Sequence, residues 1–246
     1  MAPRVGFPST AWSLISKARH HATGEAPAAL AALCEAYWYP LYSYARRSGA
    51  TPEDAADLTQ GYFARLLEKD YLGDVRLRDG RFRAFLLTSF RNFMAKERDK
   101  DRAQKRGGGQ PLLSIDVGVG EARHVREPSD GLTPEDDFER QWALTILGRA
   151  MEGLRREAVK AGREAELACL GGFLTGDEPS ASYAEAGAQL AMNEVAVRAM
   201  VLRLRRRYGR LLRAEIAETL ADPEGVDAEL RHLLASVRPW SKRART

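Results

Sequence analysis

Cysteine is almost missing from this chain. Only Cys34 and Cys169 occur in 246 residues, which excludes a disulfide framework and a cysteine-ligated zinc site. A reducing, cytoplasmic setting fits that scarcity. Long apolar runs are missing as well: none approaches the roughly eighteen residues at which a stretch becomes a candidate membrane span. The opening residues, "MAPRVGFPSTAW", lack the apolar centre of a secretory signal, so neither export nor membrane insertion is expected. Histidine is scarce and scattered, at His20, His21, His124 and His232, and no nucleophile motif accompanies it. The acids Glu53, Asp54 and Asp57 have no nearby histidine to complete a ligand set, and helix N-termini attract acids in any case. No catalytic residue, metal or cofactor is therefore expected, and a hydrolase built on those three acids lacks its partners.

Alternating strand patterns are also absent, and helical periodicity takes their place. "PAALAALCEAYWYPLYSYARRSG" sets Leu30, Leu33, Tyr37, Leu41 and Tyr44 at threes and fours, with Pro40 expected to bend or split the helix. "TPEDAADLTQGYFARLLEKDYL" follows, with Thr51 as N-cap and Pro52 in the first turn. Next, "FRAFLLTSFRNFMAKERDKDRAQKR" carries the stripe Phe82, Leu86, Phe90 and Phe93. Beyond a Gly- and Pro-rich stretch lie further helices, then a short helix, a tight turn and a long helix at helix-turn-helix spacing. The reading is all-α: two small helical domains joined by a flexible linker, the second with the helix-turn-helix. The segments are 1–106, an acidic linker 107–137, 138–220, and a C-terminal helix with a basic tail, 221–246.

Charge is nearly balanced overall, with 38 Lys and Arg against 34 Asp and Glu, but it is not evenly spread. Residues 91–106 hold seven basic and three acidic side chains, whereas 114–140 hold eight acids against three Lys or Arg. Two basic blocks separated by an acidic stretch suggest two nucleic-acid surfaces and a connector. Between Arg198 and Arg213 stand seven arginines and no acid. A merely solvated helix mixes signs, because like charges three or four apart repel, so Arg203, Arg206, Arg207 and Arg210 point to a polyanionic partner. Asn193 would cap that helix. Its first turns, including Arg198 and Leu202, would enter a major groove while later arginines hold phosphates. Phe85 lies off the apolar stripe beside Arg76, Arg78, Arg81 and Arg83, an aromatic and arginine mixture suited to splayed single-stranded bases. Glu53, Asp57, Gln60, Ala64 and Glu68 share one helix side, a polar ridge suited to docking another protein. The turn "QLAMN" places Ala191 where glycine is frequent, so a left-handed residue or an altered turn is expected there.

The three segments "PEDAADLTQGYFARLLEKDY", "RFRAFLLTSFRNFMAKERDKDRAQKRGGG" and "SYAEAGAQLAMNEVAVRAMVLRLRRRY", in this order, resemble the extracytoplasmic-function (ECF) class of bacterial RNA polymerase sigma factors. That resemblance implies a non-enzymatic protein that directs core RNA polymerase to promoters and assists their opening. It assigns polymerase binding to Asp54, Asp57, Leu58, Gln60 and Phe63. Minus-ten DNA, with a flipped base, would fall to Arg76, Arg78, Arg81, Arg83, Phe85, Asn92 and Lys96. The minus-thirty-five element would fall to Asn193, Arg198, Leu202, Arg203, Arg206 and Arg207. The implied partners are core polymerase and promoter DNA, double- and single-stranded, with an anti-sigma factor or other regulator as a further one. Gly61 departs from the family's habit of an acid there, and Leu202 from a polar residue. The alternative is a helix-turn-helix regulator that does not engage polymerase.

Overall fold

The computed structural model describes residues 26–68, 82–103, 120–121, 124, 131–174, 182–220 and 223–237. Among them are eight α-helices and no extended strand, so the fold is all-α as expected. In chain order they are α1 (Ala26–Arg47), α2 (Pro52–Glu68), α3 (Phe82–Ala103), α4 (Pro134–Lys160), α5 (Glu164–Leu170), α6 (Tyr183–Gln189), α7 (Glu194–Ala217) and α8 (Val226–Ser236). Pro40 does not split α1, which runs unbroken through it.

Helix starts follow from local chemistry. Thr51 Oγ1 accepts from the Asp54 backbone N–H at 3.1 Å, and Pro52, Glu53 and Asp54 form the first turn of α2. Thr133 does the same for Asp136 at 3.1 Å ahead of Pro134, Glu135, Asp136 and Asp137. Each cap satisfies an orphan N–H, and each set of acids meets the positive end of the helix dipole.

The chain divides into two compact units, Met1–Leu144 with Ala217–Thr246, and Thr145–Ile216. The boundaries read from sequence, at 106, 137 and 220, do not coincide with this division. Residues 134–144 of α4 and the C-terminal helix α8 group with the first unit.

The core of the first unit is aromatic. Tyr37, Leu41, Tyr42, Phe63, Phe82, Leu86, Phe90, Phe138 and Trp142 are all buried. Edge-on ring pairs join α1 to α3 at Tyr37–Phe82 (5.6 Å) and α2 to α3 at Tyr62–Phe90 (5.2 Å), the geometry the ring quadrupole favours. From Ala36 to Ala45 every residue of α1 is buried, so this helix is a core element rather than an amphipathic one. In the second unit Leu170, Phe173, Ala186, Val197 and Val201 form one cluster, and Leu154, Ala158 and Leu167 another.

Part of the acidic stretch expected to be a solvated connector is docked on α1. Glu121 takes two hydrogen bonds from Arg46, at 2.9 and 3.0 Å, and one from the Tyr42 hydroxyl at 2.6 Å. Gly120 lies against the Trp38 ring. Asp137 is fully buried, accepts from Ser43 Oγ at 2.5 Å and pairs with Arg47 Nε at 3.1 Å. Glu121 and Asp137 are retained by the basic end of α1, a long-range match that composition alone does not reveal.

His124 sits in the same patch, 3.4 Å from Ser43 Oγ. Burial, then the nearby Arg46, hold its pKa below the ordinary value, with Arg47 adding to them and Glu121 and Asp137 opposing. The unfolded chain therefore binds a proton at this residue that the folded chain refuses, and stability falls as pH drops through the ordinary histidine value. Melting the parent and His124→Gln at about pH 7.5 and about pH 5.5 should show a larger acid loss for the parent. Equal losses would mean that His124 does not titrate on unfolding.

Candidate nucleic-acid interface

On α2, Asp54 and Asp57 are exposed, and Leu58, Gly61, Ala64 and Arg65 are half-buried. Of the ridge read in the sequence, Glu53 and Asp57 are exposed and Ala64 is half-buried, and Asp54, Leu58, Gly61 and Arg65 widen the accessible face. Gln60, expected on that ridge, is only 8% exposed, and Phe63 is fully buried among the core rings. Neither presents a surface to a partner. α2 packs against both α1 and α3, and Gln60 is enclosed there.

On α3, Phe85, Ser89, Asn92 and Lys96 fall on one stripe at spacings of four, three and four. Asn92 and Lys96 are exposed, while Phe85 and Ser89 are half-buried. The Phe85 ring leans on Phe82, with centroids 6.1 Å apart. A small pocket between α2 and α3 is lined by Tyr62, Arg65, Ser89, Asn92, Phe93 and Lys96. The Phe93 ring covers Gly61 at 3.4 Å from where a Cβ would lie, with the Arg65 guanidinium 5.9 Å from the ring centroid. Arg76, Arg78 and Arg81 lie outside the described residues. Arg83 departs from expectation: its side chain is only 4% exposed and is held by Glu139 and Glu229.

On α7 the Asn193 side chain accepts from the Ala196 N–H at 2.8 Å, as the sequence predicts. Val197 and Val201 are buried, whereas Arg198, Leu202, Arg203 and Arg206 are exposed. Arg198 pairs with Glu194 at 2.5 Å and sits 5.2 Å from the Tyr183 ring centroid. The neighbours Arg203, Arg206, Arg207 and Arg210, with Arg163, ring a groove of ≈ 390 Å³ floored by leucines and Met200. Five arginines against the acids Glu157 and Glu166 leave the groove net positive, but not every arginine is unpaired. Arg207 Nε donates to Glu157 at 2.6 Å, and both Glu157 oxygens are engaged. Glu157 is held below its ordinary pKa chiefly by that hydrogen bond. Arg205 donates to the Phe173 carbonyl at 2.7 and 3.0 Å. The acid that offsets Arg207 lies on α4, beyond the reach of a local charge count.

The family model described as "ECF sigma factor" matches residues 24–213. The chain belongs to the ECF sigma factor family. No curated protein and no solved structure gives a match to it. Family membership places this ECF sigma factor in transcription initiation, with RNA polymerase and promoter DNA as the family's partners. No described helix is long and apolar enough to cross a membrane. Among the described residues no three His, Cys, Asp or Glu side chains gather as a metal site.

The turn that orients α7 in this ECF sigma factor has a specific geometry. Ala191 adopts φ 51°. The Met192 N–H reaches the Gly187 carbonyl at 2.9 Å, and the Ala191 N–H reaches Ala188 at 3.5 Å. These are the paired bonds of a Schellman ending, whose left-handed position normally carries glycine. Gly162, at φ 62°, fills that position where α4 ends. Gly187 is needed for a different reason: a Cβ there would come 2.7 Å from the Met192 carbonyl oxygen. An L-residue in the left-handed region costs about 1–2 kcal/mol, partly offset by the chain entropy glycine brings. Ala191→Gly should therefore stabilise the second unit by roughly 0.5–1 kcal/mol, read as a raised Tm. A lowered Tm would show that the methyl group is favourable where it stands.

Proposed function

We propose that this ECF sigma factor binds core RNA polymerase through the Asp54, Asp57 and Leu58 surface of α2. The first turns of α7 read a minus-thirty-five element, and the Phe85–Asn92 stripe of α3 holds an unpaired base of the minus-ten element during opening. The observation that carries this reading is the face of α7. Arg198, Leu202, Arg203 and Arg206 are exposed on a helix whose opposite side is locked in a core and whose first turn is capped. Such a helix can enter a major groove without unfolding anything. Arg198 near its start is placed for base edges, and Arg203 and Arg206 for phosphates. Gln60 and Phe63 support the docking helix from within instead of touching polymerase.

Transcription in vitro with core polymerase on a library of genomic fragments tests the reading. The parent should direct initiation from a subset of fragments sharing two spaced elements. Asp54→Lys with Asp57→Lys should weaken core binding about tenfold or more, since like-charge juxtaposition at an interface costs several kcal/mol. Both side chains are exposed, so the fold should survive. Unchanged core affinity would remove α2 from the interface. Fragment binding with no initiation would favour a regulator that does not engage polymerase.

A further inference from the structure

The face of α7 opposite its buried valines is apolar where a solvated helix would be polar. Val195 is 76% exposed and Leu202 49%, and Ala199 between them is exposed as well. With Arg206 they stand at spacings of four, three and four, one stripe on the side away from Val197 and Val201. A single exposed apolar residue needs no explanation. Three in line at the start of a helix do, because the face turned from a core is ordinarily polar. The stripe is also short of free hydrogen-bonding groups. The Asn193 side chain is taken up by the Ala196 N–H at 2.8 Å, and Glu194 by Arg198 at 2.5 Å. Arg198 and Arg203 flank the stripe, Arg206 ends it, and Glu194 is the only acid from 194 to 214.

We infer that Val195, Ala199 and Leu202 read the C5-methyl groups of thymine, so that the upstream element is recognised by apolar contact with A·T pairs as well as by the hydrogen bonds of Arg198. The thymine methyl is the apolar group that base edges present in the major groove, and aliphatic side chains pack against it. The cationic border selects the partner. A duplex offers phosphates on either side of the groove, so arginines flanking an apolar stripe match it, whereas an apolar protein surface would leave them without anions. Length agrees. Seven residues at about 1.5 Å each set Val195 and Leu202 about 10.5 Å apart, roughly three base steps of about 3.4 Å. The element should therefore hold thymines, on either strand, within about four consecutive base pairs. The inference rests on the reading of α7 given above and adds the chemistry of what that helix reads.

The test uses the full chain with core polymerase on a fragment that the parent transcribes, each thymine of the upstream element being replaced in turn by deoxyuridine. Uracil keeps every hydrogen-bonding group of thymine and lacks only the methyl. The parent should form closed complexes about fourfold more weakly for each contacted methyl removed. Val195→Ser and Leu202→Ser, both at exposed positions, should each bind the thymine fragment more weakly. Each should also lose the distinction between thymine and uracil at its own position while keeping it at the other. If the parent binds thymine and uracil fragments alike at every position, or if both variants keep the parent's full distinction, α7 reads no methyl and the inference is overturned while the sigma-factor reading stands. An upstream element without thymine overturns it equally. If the chain binds fragments but initiates from none, the polymerase reading fails, and the same comparison made on binding by the chain alone still decides the inference. If it binds no fragment, both fail.

Discussion

Asp137→Ala should unfold the first unit under conditions in which the parent is folded. The Asp137 carboxylate is wholly buried, accepts from Ser43 at 2.5 Å and faces Arg47 Nε at 3.1 Å. Removing it takes a buried carboxylate away from the largely buried Arg47 guanidinium and from the Ser43 hydroxyl. Breaking a buried pair from one side costs about 3–5 kcal/mol, a large part of the roughly 5–15 kcal/mol that holds a typical domain together. The control lies one residue away. Asp136 is only half-buried and interacts with the Thr133 cap, so Asp136→Ala should cost about 0.5–1 kcal/mol through the lost dipole interaction. Urea titration of both variants, followed by tryptophan fluorescence from Trp38 and Trp142, gives the comparison. Equal midpoint shifts would mean that the buried pair contributes no more than a surface acid.

Local signals carried well from sequence to structure, and long-range ones did not. Thr51 and Asn193 cap the helices they were expected to cap, because a cap needs only a side chain and an amide three residues on. The left-handed Ala191 was legible for the same reason. Gln60 was not: its period places it with Asp57, but whether that side faces solvent depends on how tightly α2 is embraced by α1 and α3. Arg207 was read as unpaired and Arg83 as a DNA contact because their acids, Glu157, Glu139 and Glu229, lie on other helices. Charge counts along a chain cannot see such partners. The docked acids Glu121 and Asp137 are the same error in the opposite sign, acidic side chains assigned to solvent that in fact meet Arg46 and Arg47. Apart from Gln60 and Phe63, which packing encloses, these misses are tertiary ion pairs. For an interface argued from arginines, the consequence is that Arg203 and Arg206 carry the phosphate contacts, whereas Arg198 must exchange its exposed partner Glu194 and Arg207 must leave Glu157.

Phe85→Ala with Asn92→Ala should spare closed-complex binding and impair strand opening. A base-capture site acts only on a base that has left the stack, so its loss is invisible while the duplex is intact. Phe85 and Asn92 lie two turns apart on one stripe of α3, with the exposed Lys96 beyond them for the backbone. Stacking of a base on an aromatic ring is worth about 1–3 kcal/mol, so the open complex should become roughly five- to one-hundred-and-forty-fold less populated. Permanganate reactivity of unpaired thymines reads that population directly. A template with a premelted bubble should restore much of the activity, because the unstacking has been done in advance. Phe85 also leans on Phe82 in the core, so circular dichroism and thermal melting must first show the double variant folded. A helix-turn-helix regulator has no use for this stripe. If the folded double variant opens linear promoters as well as the parent does, base capture must be assigned elsewhere on the chain, and the exposed residues of α3 revert to duplex backbone contacts.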